Sequence, residues 1–268
     1  MGAPMNLEVD TPLGRIAVTT GGTGPLLVLV PAAGRAAADF EPIVPALART
    51  HRVAMLDWPG AGASPPSGRP REATAAALAP ALSEVVRALG EPAVLLGHSA
   101  GGFAAARLAI DEPERVRGLV LVDALGFVPF GRLQRAFCAV KGVPAVTRAV
   151  EGYLARAQTI RRNAATARVF SRVDAAVAEP AFVELTAALW RSFPRPEVDL
   201  RAAAKAIRCP TRVCWGWLDP VVPVLGGFTA ARTIPGAELS LFRTGHTPFV
   251  EDPAAFLRVV EPFVSQLR

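Results

Sequence analysis

Apolar residues recur along this chain in two rhythms. Short, nearly unbroken apolar runs occupy residues 26–30, 52–56, 92–96, 118–122 and 211–215. Runs that short, with no polar alternation, suit strands buried on both faces of a parallel sheet. Between them lie stretches with helical spacing. Residues 39–50 read as a helix with Asp39 as its N-cap, and 72–89 as a helix that Pro80 kinks or restarts. The small-residue run 102–109 reads as a third. Residues 7–10 and 15–20 form an antiparallel start ahead of a turn at Gly21-Gly22-Thr23-Gly24. Strand and helix in alternation predict an α/β fold with a doubly wound sheet.

From about residue 127 to 205 this rhythm breaks. Helical patterns at 132–140, 145–158 and 180–190 follow one another without a strand, punctuated by Pro144, Pro180, Pro194 and Pro196. The strand rhythm resumes at Thr211 and at 237–242, and an amphipathic pattern at 253–266, with Pro262 near its end, closes the chain. The organisation expected is a core of residues 1–126 and 206–268 with an inserted helical cap of residues 127–205. No internal repeat is visible.

The chemistry is concentrated at Gly97-His98-Ser99-Ala100-Gly101, a G-x-S-x-G motif between an apolar run and a helix-like run. A serine at the tip of a strand–turn–helix is pushed out at the carboxyl end of the sheet, and small neighbours let strand and helix pass closely. The amide of Ala100 then lies at a helix N-terminus, where N–H groups lack intrahelical partners. One turn thus offers a nucleophile and an oxyanion donor.

A serine needs a base, and the base an orienting acid. The histidines are His51, His98 and His246. His51 heads a strand. His98 sits inside the turn with its ring directed away from the hydroxyl and is a candidate for the pocket wall. His246 follows a strand on a loop that can reach across the sheet top. Two acids end strands, Asp219 and Asp123, and both fit the order Ser, Asp, His. Asp219 is preferred because its strand precedes the histidine strand in sequence; Asp123 is assigned to the cleft wall or to local backbone.

These motifs together resemble the α/β-hydrolase superfamily, in its branch with a helical cap after the sixth strand. Leu27-Val28-Leu29-Val30-Pro31-Ala32-Ala33-Gly34 is similar to its third strand and oxyanion loop, and Asp57-Trp58-Pro59-Gly60-Ala61-Gly62-Ala63-Ser64 to its D-x-x-G-x-G-x-S turn. Residues 97–101 match the nucleophile elbow, and the Asp219 and His246 segments match the acid and base loops. The resemblance implies a mostly parallel eight-stranded sheet with helices on both faces and a Ser99–His246–Asp219 triad. It also implies an oxyanion hole from the amides of Ala33 and Ala100, and no cofactor. One departure stands out: the family commonly has His-Gly where this chain has Pro31-Ala32, so the contacts of the missing histidine must come from elsewhere.

Composition narrows the partners. The chain has 268 residues, 51% of them hydrophobic and 19% charged, enough for a large core. The formal net charge is +6, almost all from arginine, since Lys141 and Lys205 are the only lysines. These arginines are dispersed, with no nucleic-acid motif and no interleaved aromatic residues, so no nucleic acid is expected. An anionic substrate fits better, and Arg35, just past the oxyanion loop, is a candidate to hold a carboxylate. Cys138, Cys209 and Cys214 match neither a disulfide framework nor a metal site, which points to free thiols in a reducing compartment. Residues 1–10 carry neither a signal-peptide nor a myristoylation pattern, and no apolar run suits a membrane span; a cytoplasmic protein is expected.

The cap carries Phe127, Phe130, Phe137, Phe170, Phe182, Trp190 and Phe193. Some must pack on the core and a subset roofs an apolar pocket over Ser99, with Arg35, His98, Asp123 and Phe127 as candidate pocket residues. The leading expectation is a serine hydrolase cleaving a small carboxylic ester, lactone or thioester. The alternatives are a lyase or cyclase that uses His246 as base, and a non-catalytic ligand-binding member of the fold. Oligomeric state is not legible.

Overall fold

The computed structural model describes residues 5–267; the outermost residues of the expected core and of the leader reading, 1–4 and 268, lie outside them. Eight strands form one sheet in the order β1-β2-β4-β3-β5-β6-β7-β8. They are β1 (Met5–Thr11), β2 (Gly14–Gly21), β3 (Leu26–Val30), β4 (Arg52–Asp57), β5 (Ala93–His98), β6 (Val116–Val122), β7 (Thr211–Gly216) and β8 (Glu238–Phe242). β2 runs antiparallel to both its neighbours, and the other pairings are parallel.

The central strands are apolar along most of their length, and β3 throughout, because both faces are covered. Leu26, Val28 and Val30 join one core cluster, while Leu27 and Leu29 join the other. This is the period of two of a strand sandwiched between helix layers. Ahead of β5 lie α1 (Val44–Leu47) and α2 (Leu78–Leu89), and after it α3 (Ala100–Asp111). α2 and α3 cover the first face.

The helix expected at 39–50 is broken. Residues 37–40 make a 3₁₀ turn and only α1 is α-helical. Pro42 and Pro45 lack the N–H groups a continuous helix would use. Asp39 caps nothing; it is buried in the turn as an ion-pair partner. Pro80 falls in the first turn of α2, where its missing N–H costs little.

Between β6 and β7 come four helices and no strand: α4 (Arg132–Lys141), α5 (Pro144–Ala157), α6 (Ala164–Ala176) and α7 (Pro180–Ser192). α6 had no counterpart in the sequence reading. Its start is set by a capping box in which Asn163 accepts from the Thr166 amide and the Thr166 hydroxyl accepts from the Asn163 amide. α5 packs on α6 and α7, and α4 on α7. Inside this layer Lys141 and Glu151 form a buried ion pair. Both charges are removed from water, and breaking such a pair from one side costs about 3–5 kcal/mol.

The chain closes with α8 (Leu225–Thr233), α9 (Pro248–Glu251) and α10 (Pro253–Ser265). α9 and α10 supply Phe249, Val250, Phe256, Val260 and Val264 to the second core face. Among the described residues no helix is long and apolar enough to cross a membrane. Cys138 and Cys214 are buried and Cys209 half-buried, all as free thiols. Burial holds the Cys138 thiol protonated, at about 11, so it is no rival nucleophile.

Candidate active site

Ser99 links β5 to α3 with φ 54° and ψ −117°. A non-glycine residue there stores on the order of 1–3 kcal/mol of strain. Main-chain bonds on both sides pin it: its N–H donates to Val122 O at 2.9 Å, and its carbonyl accepts from Phe103 and Leu125, each at 3.0 Å. The flanking glycines are sterically required. A Cβ on Gly97 would lie 2.5 Å from Gly101 O, and one on Gly101 would lie 2.4 Å from both Val30 O and Pro31 O.

The loop after β3 is held without the family's histidine. Trp58 Nε1 donates to Pro31 O at 2.8 Å, fully buried. A turn closed by Arg35 N–H on Ala32 O, 3.2 Å, with Gly34 at φ +70°, presents Ala33 to the cavity beside Ser99. Asp57 braces the loop by accepting from the amides of Ala37 (2.7 Å) and Ala63 (2.9 Å). Its burial pushes its carboxyl above the usual range, against those two hydrogen bonds. Trp58 had not been singled out in the sequence, although it lies in a motif that had.

Asp219 and His246 meet at the ends of β7 and β8. His246 Nδ1 lies 2.6 Å from Asp219 Oδ2, with both side chains buried. Asp219 Oδ1 accepts from the amides of Val221 (2.7 Å) and Val222 (3.1 Å), which fixes the carboxylate plane. The two loops are tied by Leu218 N–H to Thr244 O at 3.0 Å. With Nδ1 donating to the carboxylate, Nε2 is left as the acceptor that a general base needs. Ser99 and His246 line the same cavity.

His98 lies behind this pair. Its ring is 4.8 Å from the His246 ring, and its Nε2 donates to His246 O at 2.8 Å. Burial and the neighbouring His246 drive its pKa well below the ordinary value, so it stays neutral. The folded protein therefore takes up the His98 proton less readily than the unfolded chain. The stability due to this difference is complete above the unfolded value near 6.5 and is lost as pH falls below it. Melting temperature should decline between pH 7 and 5, and this decline should be shallower in His98→Gln; identical slopes would show that His98 is not the cause.

Asp123 sits beneath the pair rather than in the cleft wall. Its backbone takes φ 45°, its Oδ1 accepts from Gly216 N–H at 2.8 Å, and its Oδ2 has no hydrogen-bond partner. Burial first, then the Asp219 charge, raise its pKa well above the ordinary carboxylate value, which favours its neutral form. Donor atoms of Asp123, Asp219 and His246 lie within 4.8 Å of one another. His246 Nδ1 and Asp219 Oδ2 are engaged with each other at 2.6 Å, an arrangement that suits proton transfer.

The cavity around Ser99 measures about 80 Å³. Arg35, Phe130, Trp190 and Phe193 line it, but His98, Asp123 and Phe127 do not: all three are buried behind or beneath it. These three had been candidates for the pocket wall; strand-end and elbow positions face into the core as well as into the cleft, and sequence does not separate the two. Phe130, Glu151, Gln158, Trp190 and Val221 also line an adjoining groove of about 430 Å³ that runs along Phe137 and Leu154. Glu251 joins the inserted helices to the base loop and had no signal of its own in the sequence. Its Oε2 accepts from the amides of Gly245, Ile160 and Arg161, and the His246 amide donates to Gln158 O at 3.0 Å. A Cβ on Gly245 would stand 2.0 Å from Gln158 O, so only glycine permits this contact.

A family model described as the alpha/beta hydrolase fold matches residues 25–137. The pimeloyl-[acyl-carrier protein] methyl ester esterase of Aeromonas hydrophila is 32% identical over 93% of this chain and 99% of its own. Among solved structures, an esterase from Rhodococcus sp. ECU1013 superposes with a TM-score of 0.78 at 25% identity, over 98% of this chain and 99% of its own. A thermophilic esterase from Thermogutta terrifontis superposes with a TM-score of 0.81 at 23% identity, over 98% and 99%.

Proposed function

The chain belongs to the α/β-hydrolase family and is an ester hydrolase of that fold; we propose that it cleaves a small carboxylic ester through an acyl-serine intermediate on Ser99. The observation that carries this reading is the 2.6 Å contact of Asp219 with His246, beside a serine strained into the wall of the same cavity. His246 Nε2 takes the Ser99 proton as Oγ attacks the carbonyl. Asp219 holds the ring tautomer and stabilises the imidazolium. The amides of Ala33 and Ala100 receive the oxyanion, and His246 then protonates the leaving alcohol. Water repeats the sequence on the acyl-enzyme and releases the acid. The lyase and binding-only alternatives leave the strain at Ser99 without a use.

In this reading residues 127–205 are the cap that shapes the site. One arm of the ester lies in the apolar groove under α4, α5 and α7, and the other occupies the small cavity by Ser99. The Aeromonas relative is a pimeloyl-[acyl-carrier protein] methyl ester esterase, and an ester with one long and one short arm fits this division of space.

A fluorophosphonate probe followed by peptide mass analysis tests the chemistry: a single adduct on Ser99 is expected, and an unlabelled Ser99 with labelling elsewhere would refute it. The groove has its own test. Phe137 lines it while half-exposed, with its ring edge-on to Trp190 at 5.6 Å. Phe137→Ala should lower kcat/KM for p-nitrophenyl octanoate relative to butyrate by about tenfold, the scale of a lost apolar contact. An unchanged chain-length profile would mean that the long arm lies elsewhere.

A further inference from the structure

Arg35 lines the cavity around Ser99 and also a second cavity of about 340 Å³ between its own loop, Gly60–Gly62 and α6. It is only 6% exposed, yet its Nη1 has no hydrogen-bond partner. The anion nearest Nη1 is Asp39 Oδ2, at 3.7 Å, which is beyond hydrogen-bond range. Asp39 is engaged by Arg172, whose Nη2 and Nε approach its Oδ1 at 3.0 and 3.1 Å. Its close contacts thus go to Arg172, which also lies 3.8 Å from Glu41, and Arg168 approaches Glu41 at 3.2 Å, so three guanidinium groups share two carboxylates. The acid in the wall of the Ser99 cavity, Glu151, is paired with Lys141, and Glu179, in the wall of the second cavity, is exposed to solvent. An excess positive charge remains at Arg35. Its field reaches the centre of the site, since it contributes to keeping His98 neutral. A buried guanidinium whose charge is incompletely matched is costly to the apo fold, and an anion held where Arg35 lines the cavity recovers part of that cost.

We propose that Arg35 is a carboxylate receptor: the ester this enzyme cleaves carries, on the arm that does not enter the groove, a carboxylate a few carbons from the scissile bond. This rests on the acyl-serine reading of the same site. A carboxylate matches the planar fork of a guanidinium and takes two parallel N–H donors. The turn that places Ala33 next to Ser99 ends at Arg35, so a carboxylate held there belongs to the reacting molecule. The cavity, about 80 Å³, confines that arm to a short chain.

The test uses two matched pairs of esters, one for each arm. Monohexyl glutarate is compared with hexyl pentanoate, which places the charge on the acyl side. 4-(Hexanoyloxy)butanoate is compared with butyl hexanoate, which places it on the alcohol side. The readout is the ratio of kcat/KM for the charged ester to that for its neutral partner. In one pair this ratio should fall about 100-fold in Arg35→Met and about tenfold in Arg35→Lys, which keeps the charge and loses the fork. Asp39 retains Arg172 in both variants, so both should fold, and melting curves verify this. Ratios within about threefold of the parent in both pairs would overturn the proposal, since a charge acting on the oxyanion slows both members of a pair alike. If the parent turns over none of the four esters and Ser99 stays unlabelled, it is the acyl-serine reading that fails. Calorimetric titration with glutarate then decides Arg35 by itself: affinity at least about tenfold weaker in Arg35→Met supports the receptor, and equal affinity overturns it.

Discussion

Ser99→Ala should lower kcat by about 10³-fold or more on every carboxylic ester the parent cleaves, with cooperative folding retained. In the proposed mechanism the hydroxyl is the atom that forms the new bond, and neither His246 nor the amides of Ala33 and Ala100 can replace it. Folding survives because the turn is held by main-chain bonds to Val122, Phe103 and Leu125, none of which involves the hydroxyl. Ser99→Gly sharpens the test. Glycine reaches φ 54° without the penalty that serine incurs, on the order of 1–3 kcal/mol, and that gain exceeds or matches its greater unfolded-chain entropy of about 0.5–1 kcal/mol. The glycine variant should therefore be inactive and should melt no lower than the parent. Activity of Ser99→Ala within about tenfold of the parent would rule out acyl-serine chemistry and favour His246 acting as a lone base.

The second large effect separates the two buried acids. Asp219→Asn should cost about 10⁴-fold in kcat, because an amide presents the wrong partner to His246 Nδ1 and reverses the ring tautomer. Asp123→Asn should stay within about tenfold of the parent, because burial and the Asp219 charge already favour the neutral carboxyl, which an amide resembles. Asparagine keeps the acceptor for Gly216 N–H, supplies donors where Asp123 carries its proton, and tolerates the left-handed backbone found there. The two variants also differ in the pH dependence of stability. The folded-state pKa of Asp123 is raised, so the unfolded chain releases a proton, from its ordinary value near 3.8, that the folded protein retains. Its contribution to stability is complete below that value and is lost as pH rises toward the raised one. Asp123→Asn has no such proton, so its melting temperature relative to the parent should climb between pH 4 and 8. Equal losses of activity in the two variants would mean that both acids orient His246; a flat difference in melting temperature would mean that Asp123 is ionised in the folded protein.

The strands, the nucleophile turn and the helical insertion were readable from the chain because each has a local cause. Leu26–Val30 and residues 93–96 are apolar at every position because two helix layers cover them, and Gly97 and Gly101 flank Ser99 because nothing larger fits between strand and helix. Asp219 and His246 were legible as a pair because each ends a strand and those strands are neighbours in both sequence and sheet. Local cause also explains the errors. Residues 39–50 have helical spacing, but Pro42 and Pro45 withhold the required donors, and Asp39 is drawn to Arg35 and Arg172 instead of capping.

Only the tertiary structure decided what surrounds the serine. Asp123 and Asp219 are both acids at strand ends; the Asp123 pKa is raised by burial and by the Asp219 charge, which depend on distance in space. Glu251 binds amides about ninety residues away, Trp58 ties down the oxyanion loop at Pro31 O, and His98 and Phe127 lie outside the cavity wall. The excess charge at Arg35 exists because Arg172, from the inserted helices, takes the carboxylate that Arg35 would otherwise hold. Periodicity and turn chemistry act between neighbours in the chain and leave their mark on the sequence. Desolvation and ion pairing act between whatever the fold brings together, and so they determine the chemistry of the site only once the chain has folded.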